Sequence, residues 1–170
     1  DVERSRGLGD VYKRQGIDKM RRRSGMKISA KGRYALRFMA DLALQDPTEF
    51  IALKDVSVRQ GISVKYLEQI VSALSRAGFV RSIRGPQGGY RLARRPEEYT
   101  VGEILRAVEG SLAPVACLED EPNRCPRYEV CSTVRFWEGF YEQIKNYVDL
   151  TTLDDLARGN LEKSKKKLES

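Results

Sequence analysis

Residues 61–92 read GISVKYLEQIVSALSRAGFVRSIRGPQGGYRL, and this stretch contains the main signals of the fold. Ser63 is a favourable helix N-cap, and Gly78 is a typical stop for a helix that begins there. Between them, apolar residues recur at the spacing of one buried helix face: Leu67, Ile70, Val71 and Leu74. Two short β-rich segments then surround residues 85–89, GPQGG, whose composition is typical of a tight turn. The stretch therefore predicts a helix followed directly by a β-hairpin.

Two further helices are predicted before this stretch. Residues 31–45 have the pattern of an amphipathic helix, which Asp46 and Pro47 end. Residues 53–60 predict a short second helix, closed by Gly61. Two helices joined by a tight glycine turn are the plan of the helix-turn-helix motif, and a hairpin directly after them is a wing.

The part of the chain after the hairpin predicts more helices and one loop. Thr100 and Glu103 have the spacing of a capping box that opens a fourth helix, and Thr152 and Asp155 repeat it. Residues 111–130 contain three prolines, which favours a loop. The helix predicted from Ser132 to about Leu150 is apolar on so wide a face that it needs two partners, its own domain and another chain. Its predicted dimer-interface residues are Phe136, Trp137, Phe140, Tyr141, Ile144, Tyr147 and Val148.

The predicted fold class is mainly α with a small β-hairpin: a winged helix-turn-helix domain plus a long dimerisation helix. The expected divisions are 26–99 for the winged domain, 100–131 for the capped helix and cysteine loop, 132–157 for the dimerisation helix and a short helix, and 158–170 for a charged tail. Residues 1–25 show no sustained apolar period, and they are expected to be disordered and non-native, with Met26 or Met20 as the start. The alternative is a natural basic arm that touches phosphates.

The chain has 170 residues and a formal net charge of +7, which is unevenly distributed. Lys and Arg number 13 against 7 Asp and Glu over residues 26–100, but 10 against 13 over residues 101–170. A nucleic-acid-binding half joined to a non-binding half would show this asymmetry, and so would a solvated basic face that binds nothing. Charge alone leaves both interpretations open.

The chain contains three cysteines and no histidine. The lack of histidine removes Ser-His and Cys-His catalytic pairs and histidine-ligated metal sites, and no paired-carboxylate site or cofactor loop emerges. An enzyme is therefore the least favoured class. The cysteines lie within 15 residues of one another, which fits a reducing cytoplasm better than a secreted disulfide framework. Neither a signal peptide nor a membrane-spanning run is evident.

The helix that begins after Ser63 is the predicted recognition helix, whose first residues would face the DNA major groove. Lys65 can approach guanine or a phosphate, Glu68 can accept from cytosine, and Gln69 can read adenine. Arg84 and Gly85 at the wing suit a narrow minor groove. The predicted DNA-binding residues are Ser63, Lys65, Tyr66, Glu68, Gln69, Arg84 and Gly85. The alternatives are that the helix residues are only the exposed face of a three-helix core and that the glycines only satisfy turn geometry.

The three cysteines are candidate metal ligands. Cys117, Cys125 and Cys131 are separated by seven and five residues in a proline-rich loop. Three thiolates on one flexible loop can converge on one soft metal centre, either an iron-sulfur cluster or zinc. The alternative is three unconnected thiols, against which their charged surroundings argue.

Three motifs closely resemble the Rrf2 family of bacterial regulators, which includes IscR, NsrR and CymR. They are residues 26–36, MKISAKGRYAL, residues 62–70, ISVKYLEQI, and residues 80–90, VRSIRGPQGGY, and the resemblance extends over about 26–157. It implies a homodimer that binds an operator in double-stranded DNA, with a long helix that crosses its partner. It also implies base contact by Glu68 and Gln69 and minor-groove contact by Arg84 and Gly85. Lys65 departs from the smaller serine of IscR-like members.

The resemblance also places the cluster ligands of IscR and NsrR on the three cysteines. It therefore implies an iron-sulfur cluster, 2Fe-2S or 4Fe-4S, and a regulator that senses iron-sulfur, redox or nitric oxide status. The first gap between the cysteines is longer here than in IscR, and the IscR histidine falls on Val134. The fourth ligand is thus open: a carboxylate, a small molecule, water or a partner-chain residue. A zinc or thiol switch in the same dimer and a protein-interaction adaptor are the alternative functions.

Overall fold

The computed structural model describes residues 27–170, so the predictions for residues 1–25 lie outside the described part of the chain. The structure is mainly α, and its described strands form one two-stranded antiparallel sheet, in agreement with the predicted fold class. The elements in chain order are α1 (Ala30–Ala43), α2 (Leu53–Gln60), α3 (Val64–Arg76), β1 (Val80–Ile83), β2 (Gly89–Leu92), α4 (Val101–Glu109), α5 (Val134–Leu150), α6 (Leu153–Ala157) and α7 (Glu162–Glu169).

Several helix boundaries have the predicted caps. The Ser63 hydroxyl accepts a hydrogen bond from the Tyr66 N–H at 3.2 Å, and Gly61 ends α2 in the left-handed conformation with φ of 63°. Thr152 and Asp155 form the full capping box of α6. The box predicted at Thr100 is only half formed, because the Glu103 side chain pairs with Arg94 on the neighbouring segment.

One buried carboxylate joins the first two helices, α1 and α2. Asp41 of α1 is only 4% exposed, and both of its oxygens accept from the Arg59 guanidinium, at 2.6 and 3.0 Å. Gln60 donates to the same carboxylate at 2.9 Å. A two-pronged arginine–carboxylate contact is strong and directional, so it fixes the end of α2 against α1.

The wing is fixed to the segment before α2 by backbone hydrogen bonds. Ile51 and Tyr90 each donate to the other's carbonyl at 2.8 Å, which adds a third short strand segment beside β2. Gly89 makes this approach possible, because a Cβ there would lie 2.3 Å from the Ile51 carbonyl oxygen. At the hairpin base, the buried Tyr99 hydroxyl donates to the Phe79 carbonyl at 2.6 Å. The hairpin therefore has a defined position relative to α3.

Of the C-terminal helices, α5 packs on α4, α6 on α1 and α7 on α5. Arg106 of α4 makes a two-pronged ion pair with Asp149 of α5, at 2.6 and 2.9 Å. Residues 158–170, predicted as a solvated charged tail, contain the helix α7, of which Ser164 alone is buried. Within residues 27–170, no helix is both long and apolar enough to cross a lipid bilayer.

Candidate nucleic-acid interface

The N-terminal half of α3 separates a buried face from a polar exposed face. Leu67 and Ile70 are fully buried, whereas Lys65, Glu68 and Gln69 are exposed on the opposite side. Ser63, which caps the helix, is exposed as well. The predicted base-reading residues therefore lie on one accessible surface at the start of the helix.

Tyr66 differs from the other predicted contacts because its ring is part of the packing. It is half-buried and meets the Tyr34 ring edge-to-face, with centroids 5.6 Å apart. The exposed guanidinium groups of Arg33 and Arg37 lie 5.8 and 5.3 Å from the centroid of the same Tyr34 ring. Tyr66 therefore connects α3 to a basic edge of α1.

This basic edge of α1 was not among the predicted site residues. Arg33 and Arg37 are exposed, and neither forms an ion pair with a residue in the described part of the chain. Arg33 and Arg37 are one helical turn apart on the polar face of α1, so the sequence alone indicates that they lie side by side on that face. That these residues lie beside α3 follows only from the packing of α1 against it.

The wing tip places Arg84 and Gly85 in solvent. Gly85 has a φ of 117°, and its carbonyl accepts from the Gly88 N–H at 2.9 Å. A Cβ on Gly88 would lie 2.3 Å from the Ile83 carbonyl oxygen. The geometry of the turn is therefore sufficient to explain these glycines. Arg84 is exposed beside them and forms no ion pair with any described residue.

The cysteine loop connects α4 to α5 over residues 110–133. Asn123 organises its centre, because its side-chain oxygen accepts from the Cys125 N–H at 2.8 Å and its amide donates to the Cys117 carbonyl. Cys117, Cys125 and Cys131 are all partly exposed, and none forms a disulfide. The loop contains two single 3-10 turns, 116–118 and 128–130, and no α-helix, as its prolines predict.

The three thiols do not form an assembled metal site in this structure. Their chemistry suits a soft metal centre, since they are three uncombined thiols on one loop. Their side chains are not gathered around one point, because residues 27–170 contain no group of three Cys, Asp or Glu side chains that could hold a metal ion. The loop as described therefore brings the Cys117 and Cys125 backbones together through Asn123 but does not gather the three sulfur atoms.

The surroundings of Cys131 lower the pKa of its thiol. Its sulfur lies 3.5 Å from the Thr133 hydroxyl, and this hydrogen bond is the main factor that lowers the pKa of the Cys131 thiol below its usual range. The Thr133 N–H lowers the pKa further, and the charge of Arg127 contributes in the same direction. A lowered pKa increases the thiolate fraction, which is the reactive and metal-binding form.

A helix-turn-helix with an exposed polar recognition surface, followed by a hairpin fixed beside it, defines a winged-helix transcription factor. The family model for Rrf2, described as an iron-dependent transcriptional regulator, matches residues 28–159. The chain belongs to the Rrf2 family of DNA-binding transcription regulators, and the resemblance seen in its sequence motifs is confirmed. It is a regulator and not an enzyme.

Individual relatives cover most of the chain. The regulator IscR of Aliivibrio salmonicida is 41% identical over 135 residues, which are 79% of this chain and 79% of IscR. CymR of Bacillus subtilis is 42% identical over 132 residues, 78% of this chain and 90% of CymR. The solved structure of that CymR, described as the global cysteine regulator, matches with a TM-score of 0.60. A transcriptional regulator from Listeria innocua matches with a TM-score of 0.67 at 36% identity, over 79% of this chain and 88% of its own.

The hydrogen bond between Cys131 and Thr133 predicts the pH dependence of thiol alkylation. In a Cys117→Ser, Cys125→Ser background, the rate of Cys131 alkylation by iodoacetamide should reach half its maximum at a pH below the ordinary thiol pKa of about 8.5. Thr133→Val should move that midpoint upward, because the thiolate loses its main hydrogen bond. Thr133→Ser, which keeps the hydroxyl, is the matched control, and an unchanged midpoint in Thr133→Val would contradict the assignment.

Proposed function

We propose that this protein is a cytoplasmic homodimeric regulator that binds operator DNA through α3 and the wing and responds to the state of its cysteine loop. The main support for DNA binding is that the start of α3 and the wing tip are both exposed and that both have fixed positions in the fold. Lys65, Glu68 and Gln69 are exposed at the start of α3, and Arg84 is exposed at the wing tip. The Ile51–Tyr90 hydrogen bonds attach the wing to the same domain, so both surfaces can meet one DNA duplex together.

Each exposed residue has a role that suits its chemistry. Lys65 binds guanine or a phosphate, Glu68 accepts from a cytosine amino group, and Gln69 pairs with adenine in the major groove. Arg84 enters the adjacent minor groove, which Gly85 lets the backbone approach. Ser63 and Tyr66, at the start of α3, contact the backbone of the DNA. Arg33 and Arg37 add positive charge along the same edge.

The DNA-binding surface is tested on an operator obtained by selection from random duplexes. Arg84→Ala should weaken binding about tenfold to a hundredfold, and Glu68→Ala should relax the base preference at one position. Gel-shift titration and footprinting measure both effects. Arg76→Ala, at the opposite end of α3, is the matched control and should bind normally. If the Glu68→Ala, Arg84→Ala double variant binds the operator like the wild type, these reading elements are wrongly assigned.

Dimerisation is proposed through α5, whose apolar side chains are incompletely covered. Val134 is the one fully buried residue among its 17. Tyr141 and Val148 pack against α4 of the same chain. Phe136, Trp137 and Phe140 form an aromatic cluster of their own, and Phe136 remains 64% exposed. An exposed aromatic surface on a helix that is anchored on its other side suits a symmetric contact with a second copy.

The aromatic surface of α5 predicts a dimer that depends on Phe136 and Phe140. Analytical ultracentrifugation should give twice the chain mass for the wild type and the monomer mass for Phe136→Glu, Phe140→Glu, since charges in an apolar interface cost several kcal/mol. Circular dichroism should remain that of the folded chain. Glu142→Gln, a charge change on the exposed polar side of α5 away from Phe136 and Phe140, is the control and should remain dimeric. A double variant that still sediments as a dimer would place the interface elsewhere.

The sensing element is proposed to be the cysteine loop, because it joins two helices, α4 and α5, that are fixed to the reading domain or to each other. At its start, the Glu109 carboxylate accepts from the Ser29 N–H at 2.9 Å and the Gly32 N–H at 3.1 Å, which holds the N-terminus of α1. After the loop, α5 is paired to α4 through Arg106 and Asp149, near the C-terminal end of α5. A change in loop conformation can therefore alter the placement of the two reading domains. A few kcal/mol of difference in DNA affinity between states is enough for regulation.

An iron-sulfur cluster held by Cys117, Cys125 and Cys131 is the first candidate for the loop's ligand. Three thiols on one loop and the likeness to IscR and to a family described as iron-dependent support it. Bound there, a cluster would supply redox and iron-responsive chemistry. The second candidate is a thiol or zinc switch without a cluster, which the lowered pKa of Cys131 and the likeness to CymR favour.

Metal content and colour separate the two candidates. Protein purified without oxygen should be brown, with an absorption band near roughly 400 nm and stoichiometric iron and sulfide, if the three cysteines hold a cluster. The Cys117→Ser, Cys125→Ser, Cys131→Ser variant should lose both the colour and the iron. A colourless wild type without iron after anaerobic reconstitution would exclude the cluster and leave zinc or thiol chemistry. In that case the DNA-binding proposal is unaffected.

A further inference from the structure

A second charged feature lies on the wing, away from its tip. A cleft of about 770 Å³ opens between the outer face of the hairpin, the turn that follows α1 and the segment 93–98. Arg81 and Arg91 line it together with Arg94 and Arg95. This volume lies in the range of small-molecule sites. None of these four arginines belongs to the surface proposed above to read DNA bases.

Arg81 and Arg91 are directly opposite each other in the sheet. They are register partners in the β1–β2 pair, so their side chains leave the same face of the hairpin. Because Val80 is buried and the Tyr90 ring packs near Phe38, the alternate positions 81 and 91 face outward. Like charges at directly opposed positions are destabilising unless something lies between or beside them.

The two arginines differ from the other arginines of the cleft in their partners. Arg94 pairs with Glu103, Arg95 with Glu98, and Arg158 with Asp154. Neither Arg81 nor Arg91 forms an ion pair with any residue of the described chain. Their positive charge is therefore not neutralised by a contact within the described structure.

Arg91 is also held in place without a carboxylate. Its guanidinium lies 4.7 Å from the centroid of the Phe50 ring and donates to the Thr48 carbonyl at 3.4 Å. It is half-buried, whereas Arg81 is exposed. One guanidinium with a defined position and a second one opposite it can bind two sides of a single oxyanion.

Four carboxylates also line the cleft, and one of them, Glu98, forms an ion pair within the described residues. Asp46 accepts from the Thr48 N–H at 2.8 Å and from its hydroxyl at 2.6 Å. Glu98 accepts from the Arg95 backbone at 2.8 Å, and Glu97 acts on Arg158 through its charge. Glu49 also lines the cleft and forms no ion pair within residues 27–170. Among the hairpin residues that line the cleft, the unpaired charges are the positive ones of Arg81 and Arg91.

We propose that Arg81 and Arg91 form an oxyanion site at the base of the wing that binds one phosphate group between their guanidinium groups. Two sources offer this chemistry. One is a backbone phosphate of DNA that flanks the operator, since position 81 lies only about 10 Å along the strand from Arg84. The other is the phosphate group of a small molecule in the cleft, which would make the site a regulatory one. The site is independent of the base contacts assigned to α3.

The first arm of the test uses inorganic phosphate and pyrophosphate on the full chain without DNA. The thermal midpoint is compared in phosphate and in chloride at equal ionic strength. The wild type should be stabilised by the phosphate anions more than the Arg81→Gln, Arg91→Gln variant is, because phosphate also stabilises folded proteins without a binding site and that part is common to both. In chloride the double variant should be more stable than the wild type, because the opposed charges are gone. Arg81→Gln alone, which keeps the Arg91 contact with Phe50, should reproduce the loss of the anion effect.

The second arm uses two duplexes around one selected operator. One ends at the operator, and the other extends it by a helical turn on each side. If the phosphate comes from DNA, the double variant should bind the long duplex about tenfold more weakly at low salt, with a log–log salt slope smaller by about 0.9. Its affinity for the short duplex should be unchanged. Binding of the short duplex also keeps this outcome separate from a failure of the proposed function, because that function concerns contacts within the operator itself.

The control variant is Arg95→Gln, in the same cleft but paired with Glu98, and it should leave both arms unchanged. An effect in the first arm alone identifies a small-molecule phosphate site, and an effect on the long duplex alone identifies a DNA phosphate contact. If the Arg81→Gln, Arg91→Gln variant matches the wild type in both arms, or if Arg95→Gln has the same effect as the double variant, the site does not exist as proposed.

Discussion

The pair of backbone hydrogen bonds between Ile51 and Tyr90 is the constraint on which the rest of the structure depends. It joins the wing to the segment that leads into α2, and the missing side chain of Gly89 lets the two backbones come that close. Since α2 is fixed to α1 through Asp41, and α3 packs against both of these helices, the recognition helix and the wing belong to one unit. The distance between the two DNA-facing surfaces is therefore a property of the fold rather than of a flexible linker.

The same hydrogen bonds determine which side chains lie on the outer face of the wing. Because Tyr90 is held inward beside Ile51 and Phe38, its neighbour Arg91 faces outward, and the antiparallel register then places Arg81 opposite it. The cysteine loop is coupled to this unit at a different place, where Glu109 holds Ser29 and Gly32 at the start of α1. One domain thus carries a surface for DNA bases, a charged cleft beside the wing and an attachment for the loop.

Much of the fold was predictable because its signals are local. The limits of α2 match the predicted residues 53–60, and the caps at Ser63 and Thr152 have the expected hydrogen bonds. The first helix was predicted over 31–45 and is Ala30–Ala43, a difference of the size expected at helix ends. The half-formed box at Thr100 was not predictable, because Glu103 finds Arg94, a residue outside its own helix.

The sequence by itself determined helices α1 to α6, the hairpin and the family, because apolar spacing, capping and turn residues act over a few positions and the three motifs are contiguous. It also determined that three thiols lie on one loop. Only the tertiary structure decided that Tyr66 meets Tyr34, that Arg81 and Arg91 are opposed, and that the three sulfur atoms are not gathered at one point. These relations join residues far apart along the chain or across a loop, and they depend on register and packing, which no local pattern specifies.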